Sequence, residues 1–147
     1  MSISASIDIK LAFRDSQTIS KVALIQSLLD FGWTFKDCGN MTYLPIGDED
    51  KFDWKTENIS VESLMVLLNE KEKRDEQIGV AMTWKDSGIG GDVLLMKNGE
   101  ISVSLTINRR VIIDSDITDV NWYLVKLLPA LNDNNLIVES FSYEEHI

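Results

Sequence analysis

The strongest constraint on the fold is a run of alternating apolar and polar residues that follows the dipeptide Asn98-Gly99. Asn-Gly is a preferred two-residue β-hairpin turn, because both residues tolerate positive φ. Strict alternation with a period of two is typical of a strand that buries one face and exposes the other. The sequence therefore predicts an antiparallel hairpin with one buried face. The residues expected to face the core are Ile101, Val103, Leu105 and Ile107.

Other segments also have the character of strands. Residues 3–13 alternate over their whole length, and residues 78–84 alternate before a Gly-rich connection at 88–91. The apolar run 111–113 is expected to extend the strand of Ile101 past Arg109 and Arg110. Further short strands are predicted at 41–46, 93–96 and 137–143.

Three segments have the 3.6-residue period of helices. The first is predicted at 18–31, with Gly32 just past its C-terminal end. Ser60 is expected to cap the second helix, and Thr118 or Asp119 the third. The apolar stripes expected to face the core are Ile19, Val22, Ile25, Leu28 and Leu29 in the first helix, Val61, Leu64, Met65 and Leu68 in the second, and Leu124, Leu127, Leu128 and Leu131 in the third.

Two helix ends carry further expectations. Residues 69–76 are rich in charge, so the last turns of the second helix are expected to leave the body of the protein and enter solvent. Pro129 lies near the end of the third helix. Because proline removes an interior hydrogen bond, it is expected to kink or shorten that helix.

The order of these segments predicts the fold class. Strands and helices follow one another as β-α-β-α-β-β-β-α-β, and no linker, repeat or low-complexity stretch interrupts residues 1–147. A chain of this length is the size of one domain with one core. We therefore expect a single α+β domain, with about three helices packed on one face of a mainly antiparallel sheet.

The charge balance limits the classes of function. Twenty-four Asp and Glu residues face fourteen Lys and Arg, which gives a net charge of −10. Such a chain repels nucleic acid and anionic lipid and attracts basic surfaces. With one histidine and one cysteine, few residues remain for acid–base or nucleophilic catalysis. We predict a cytoplasmic, non-enzymatic binding protein without a cofactor, whose partner is a basic protein and not nucleic acid or membrane.

The segment from Asp114 to Thr118 resembles a catalytic motif. It reads Asp-x-Asp-x-Thr after an apolar run, like the first motif of haloacid-dehalogenase-type phosphotransferases. There the first aspartate attacks phosphorus and the second acts as acid and base, which would nominate Asp114 and Asp116. Those enzymes need a parallel sheet and, well downstream, a lysine and more metal-binding carboxylates. Only 29 residues follow Thr118, with Lys126 as their one lysine. A carboxylate-dependent phosphatase is therefore the less favoured interpretation of this segment. The favoured interpretation is a turn that leads into the third helix.

The same segment also begins like a calcium-binding EF-hand loop. Such a loop needs glycine at its sixth position and a bidentate glutamate at its twelfth. Here those positions are Asp119 and Val125. We therefore predict no metal site.

Acidic residues concentrate in three clusters. Residues 48–57 hold five carboxylates against two lysines, residues 114–119 hold three with no base, and residues 133–147 hold four with no Lys or Arg. Carboxylates around exposed aromatic rings can steer a basic partner and then anchor it. The alternative is that these clusters only solvate the surface and that Trp54 belongs to the core. The candidate partner-binding residues are Asp48, Glu49, Asp50, Asp53, Trp54, Glu57, Asp114, Asp116 and Asp119.

In overall character the chain resembles the immunity proteins of bacterial toxin systems, including those paired with contact-dependent toxins. The shared features are small size, acidity, a single α+β domain and the lack of recognised catalytic residues. The resemblance implies that the protein occludes the active site or substrate groove of a toxin, such as a nuclease domain. Its carboxylates would then stand in for phosphates against the toxin's Lys and Arg. An adaptor or regulatory domain without a toxin partner remains the alternative.

Overall fold

A computed structural model describes residues 3–13, 20–35, 40–96, 99–132 and 136–146 of the chain. Within these ranges the chain forms three helices and an eight-stranded antiparallel sheet, which confirms the predicted α+β class. The helices are α1 (Lys21–Phe31), α2 (Val61–Lys73) and α3 (Val120–Leu131). The strands are β1 (Ser4–Phe13), β2 (Trp33–Phe35), β3 (Met41–Tyr43), β4 (Lys55–Glu57), β5 (Ile78–Trp84), β6 (Gly90–Leu95), β7 (Glu100–Ile107) and β8 (Leu136–His146).

The strands follow the order β4-β3-β5-β6-β7-β1-β8, and β2 pairs with β5 beside this path. The first strand lies between the last two, so Ile9 is opposite Ile101 on one side and Phe141 on the other. β4 and β8 therefore lie at opposite ends of the sheet. This pairing of distant segments joins the two ends of the chain in one layer.

The core lies between one face of the sheet and the three helices. On β7, Ile101, Val103 and Leu105 are buried, whereas Thr106 is exposed, which confirms the predicted alternation; Ile107 is half-buried. The helices contribute buried side chains to the same cluster, because each presents an apolar stripe to the sheet. These residues are Leu24, Ile25 and Leu28 of α1, Leu64 and Leu68 of α2, and Tyr123, Leu127 and Leu131 of α3.

The ends of α1 and the start of α2 follow the predicted signals, whereas α3 follows them only in part. Ser20 and Ser60 accept backbone N–H bonds from Ala23 and Ser63, each at 3.1 Å, and so cap α1 and α2. Gly32, with a φ of 136°, donates to the carbonyl of Leu28 and ends α1. The predicted start of the first helix at 18 and 19 lies outside the described residues. Asp119 is the N-cap residue of α3 but makes no side-chain capping bond, and α3 continues through Pro129 to Leu131.

The Gly-rich connection is not a loop throughout. Gly90 and Gly91 belong to β6, where the register against β7 shifts between Gly90 and Asp92. A Cβ on Gly90 would lie 1.9 Å from the carbonyl oxygen of Met82. Only glycine allows strands to approach this closely. The sequence pattern also missed β2 and β4, which are three residues each and too short to show a period.

The end of α2 was predicted to enter solvent, and this was wrong. Lys71 is only 1% exposed, and its ammonium donates to the carbonyl of Pro45 at 2.9 Å and lies 3.5 Å from the carboxylate of Glu76. Glu72 accepts from the hydroxyl of Ser20 at the start of α1. Val61, in contrast, was expected in the core and is 45% exposed. Charged side chains at this helix end therefore attach α2 to its neighbours.

Candidate functional site

The apolar run 111–113 does not extend β7, contrary to the prediction. β7 ends at Ile107, and residues 110–119 turn back on themselves as a short hairpin, which we call the 110–119 hairpin. The N–H of Asp119 bonds the carbonyl of Arg110 at 2.9 Å, and the N–H of Ile112 bonds the carbonyl of Ile117 at 2.8 Å. Asp114, with a φ of 63°, lies in the turn.

Three isoleucines of this hairpin are turned into solvent. Ile113 at the turn is 87% exposed, Ile117 is 58% exposed and Ile112 is 50% exposed. Alternation along the two arms explains the exposure of Ile112 and Ile117, because Thr118 faces the body and is buried, whereas Ile113 is exposed because it lies in the turn. Asp114 and Asp116 are exposed among these apolar side chains. The hairpin thus presents an apolar surface with two carboxylates at its turn.

The base of the hairpin is firmly held. The N–H of Arg110 donates to the hydroxyl of the fully buried Tyr123 at 2.8 Å, and the Arg109 guanidinium donates to the hydroxyl of Thr118 at 2.7 Å. The N–H of Thr118 donates to the carboxylate of Glu145 on β8 at 3.1 Å. Hydrogen bonds from Thr118 and Tyr143 lower the pKa of Glu145. These bonds order the hairpin before any partner binds, which reduces the entropy that binding must cost.

Two of the three acidic clusters meet at this place. The bond between Thr118 and Glu145 joins residues 114–119 to β8, which carries Glu139, Glu144 and Glu145. The cluster at 48–57 includes β4, at the other end of the strand order. The nine candidate residues therefore do not form one surface. Asp119 is half-buried and lies 3.4 Å from the guanidinium of Arg110, so it belongs to the base of the hairpin.

The carboxylate of Asp48 is hydrogen-bonded within its own loop. Asp48 is 8% exposed, and its carboxylate oxygens accept the N–H groups of Phe52 and Asp53, each at 2.9 Å. These bonds hold a turn in which Glu49 and Asp50 have positive φ. Glu49, Asp50 and Asp53 are exposed. We therefore leave Asp48 out of any partner surface and retain the other three as a secondary acidic patch.

Trp54 and Glu57 also have structural contacts. The indole of Trp54 is half-buried and packs at Gly79, where an added Cβ would lie 2.7 Å from its Cη2 atom. Glu57 accepts a hydrogen bond of 2.5 Å from the hydroxyl of Tyr43. Burial and this bond raise the pKa of Tyr43 to about 12. These contacts favour the alternative in which Trp54 supports the fold.

The aspartates of the Asp-x-Asp-x-Thr segment are not arranged as in a phosphotransferase. Asp114 and Asp116 lie in the turn of an antiparallel hairpin, and neighbouring strands of the described sheet are all antiparallel. Among the residues that the structure describes, no group of three or more His, Cys, Asp or Glu side chains is close enough to hold a metal ion.

The residues that sequence reasoning missed are the three exposed isoleucines. Their signal was present: Ile112 and Ile113 lie in an apolar run, and Ile117 lies between two polar residues in a segment rich in turn formers. The apolar character of that run instead predicted an extension of the strand of Ile101, since runs of β-branched residues are typical of strands.

No protein-family model matches the chain, and no curated protein or solved structure similar to it was found. Among the described residues, no helix is long and apolar enough to cross a membrane.

Proposed function

We propose that this protein is a cytoplasmic inhibitory binding protein that neutralises a basic protein partner, as an immunity protein neutralises a toxin. The 110–119 hairpin is its main contact. The observation that carries the proposal is the set of three exposed isoleucines beside Asp114 and Asp116, on a hairpin base that is already ordered. Exposed apolar side chains that cluster on a monomer are typical of interaction sites.

The two kinds of side chain have different roles in this proposal. The carboxylates attract the basic partner over a distance of about 8 Å at physiological ionic strength and thereby speed association. The isoleucines enter an apolar pocket between the partner's Lys and Arg and slow dissociation. Ile113, as the most exposed of the three, is the expected anchor.

The first experiment identifies the partner with matched baits. Extract from the source organism is passed over immobilised wild type, Ile113→Ser and Val66→Ser. Val66 is a suitable control because it is 70% exposed and belongs to α2, a different element from the hairpin. We expect one basic protein to be retained by wild type and by Val66→Ser and to be lost by Ile113→Ser. The purified partner should then lose its activity at an equimolar ratio of this chain.

The second experiment measures kinetics with the purified partner. Ile113→Ser should raise the dissociation rate about thirtyfold or more, since a central anchor contributes about 2 kcal/mol or more. Asp116→Lys should slow association more than Glu62→Lys, which makes the same charge change at an exposed position of α2. The difference should vanish at about 1 M salt, where the screening length is about 3 Å.

Several results would contradict the proposal. An acidic partner would refute the electrostatic part, and a partner that stays active when bound would indicate an adaptor. Undiminished binding of the partner by Ile113→Ser would exclude the 110–119 hairpin as the main contact. If Asp50→Lys slowed association more than Asp116→Lys, the secondary acidic patch would be the contact surface.

A further inference from the structure

Basic and aromatic side chains alternate on a surface next to the 110–119 hairpin. The ammonium of Lys126 on α3 lies 4.2 Å from the ring centroid of Trp122 and 5.6 Å from that of Trp84. Lys85 lies 4.9 Å from the Trp84 ring, and Arg110 lies 5.6 Å from the Trp122 ring. The five side chains form one connected series, which we call the cation–indole series.

The two indoles are held by the core behind them. Trp84 contacts Trp33 with ring centroids 5.5 Å apart, and Trp122 contacts Tyr123 at 5.0 Å. Trp33 and Tyr123 are buried, and the ring nitrogen of Trp33 donates to the backbone carbonyl of Lys126 at 2.9 Å. The indoles themselves remain partly exposed. A partner would therefore meet a surface that is already ordered, which lowers the cost of binding.

The cations of this series have little negative charge to balance them. Asp119 lies 3.4 Å from Arg110, whereas among the described residues neither Lys85 nor Lys126 has a carboxylate within 4.0 Å. Burial lowers the pKa of Lys126, the nearby positive charges of Arg110 and Lys85 lower it further, and the negative charge of Asp119 opposes this shift. Contact with a ring face supplies only about 0.5–1 kcal/mol at an exposed site. An anion placed among these three cations would relieve their mutual repulsion.

We infer that the cation–indole series binds a short acidic segment of a protein partner. Carboxylates of the segment would lie between Lys85, Lys126 and Arg110, and an apolar side chain would pack on the exposed edge of Trp84 beside Phe31, which is 40% exposed. An extended polyanion fits less well, because a long nucleic acid or an anionic membrane would reach beyond the three cations to a surface whose net charge of −10 repels it, whereas a short segment stays within the screening distance of about 8 Å from those cations. The inference shares only Arg110 with the 110–119 hairpin and does not depend on the contacts proposed for Ile113, Asp114 and Asp116.

The test uses the full chain and a capped peptide, Glu-Glu-Phe-Glu-Glu, at physiological salt. Nuclear magnetic resonance follows the indole N–H signals, which are assigned with Trp84→Phe and Trp122→Phe variants. We expect the peptide to shift the signals of Trp84 and Trp122 and to leave the two remaining signals, those of Trp33 and Trp54, nearly unchanged. The double variant Lys85→Gln/Lys126→Gln should bind about tenfold more weakly, which corresponds to about 1.4 kcal/mol.

Lys51→Gln provides the control, because Lys51 is an exposed lysine beside the secondary acidic patch and outside the cation–indole series. It should bind the peptide as wild type does, and melting temperatures verify that each variant is folded. An absence of shifts, or equal weakening by Lys51→Gln, would overturn the inference. Stronger binding of oligothymidylate or of phosphatidylserine vesicles than of the peptide, lost in the double variant, would overturn the assignment to a protein segment.

Discussion

The buried lysine of α2 leads to the most direct test of the fold. Lys71→Ala removes a side chain that is 1% exposed and that donates to the carbonyl of Pro45 at 2.9 Å. This contact attaches the end of α2 to the loop that follows β3. We expect the variant to lose a substantial part of its stability, although lysine is usually a surface residue.

The magnitude follows from the groups that are lost. Three buried methylenes contribute about 0.8 kcal/mol each, or about 2.4 kcal/mol in total. The carbonyl of Pro45 loses its donor, which costs about 1–3 kcal/mol where water cannot replace it. Relief from burying a charge offsets part of this loss, since burial lowers the pKa of Lys71. The expected net loss is about 2–4 kcal/mol.

Equilibrium urea unfolding at neutral pH measures this loss. Lys71→Met keeps most of the apolar stem and removes the buried charge, so it should cost less than Lys71→Ala. Lys73→Ala, at an exposed position of the same helix, should change stability by no more than about 0.5 kcal/mol. If Lys71→Ala cost no more than Lys73→Ala, the side chain would be solvated and the reasoning would be wrong.

Three further predictions concern other parts of the molecule. Trp54→Ala should lower the free energy of unfolding by about 2–4 kcal/mol, because the indole packs at Gly79; an unchanged melting temperature would show that the ring is free for a partner. Tyr43 should titrate with a pKa of about 12, followed by tyrosinate absorbance. The pKa of tyrosine in the unfolded chain is about 10. The contribution of protonated Tyr43 to the stability of the fold is therefore present below pH 10 and is lost as the pH rises through about 12. Tyr43→Phe should remove this loss of stability at high pH. A pKa of Tyr43 at its ordinary value would refute the contact with Glu57. Gly90→Ala should cost about 3 kcal/mol or more, measured by urea unfolding, because its Cβ would meet a backbone carbonyl. Gly47→Ala is the control, because Gly47 has open space around it but a positive φ, and it should cost about 1–2 kcal/mol. Equal losses of stability in Gly90→Ala and Gly47→Ala would exclude a steric cause at Gly90.

Much of the fold could be predicted because its signals are local. The alternation from Ile101 to Leu105 follows from the two-residue period of a strand, and Ser20 and Ser60 cap helices through bonds to residues three positions away. Such patterns depend on near neighbours in the chain, so they can be recognised without knowledge of the tertiary structure. The net charge of −10 belongs to the same category, because it is a sum over residues.

The candidate site depended on contacts between distant segments. Asp48 and Asp114 look alike in the sequence, yet Asp48 is buried by its own loop and Asp114 lies exposed in the turn of a hairpin. The sequence predicts that Lys71 is solvated, but in the structure its ammonium donates to the carbonyl of Pro45, 26 residues away. Composition predicts that charge is present but not which carboxylates share a surface.

Only the tertiary structure decided where the exposed isoleucines and the cation–indole series lie. Ile113 is exposed because Tyr123 and Glu145 hold the base of its hairpin and direct the turn into solvent. Lys85 and Lys126 are 41 positions apart in the sequence and meet at the ring of Trp84 because α3 packs beside the end of β5. Local periodicity determines which face of an element is apolar, but the packing of elements determines which apolar and charged groups remain at the surface.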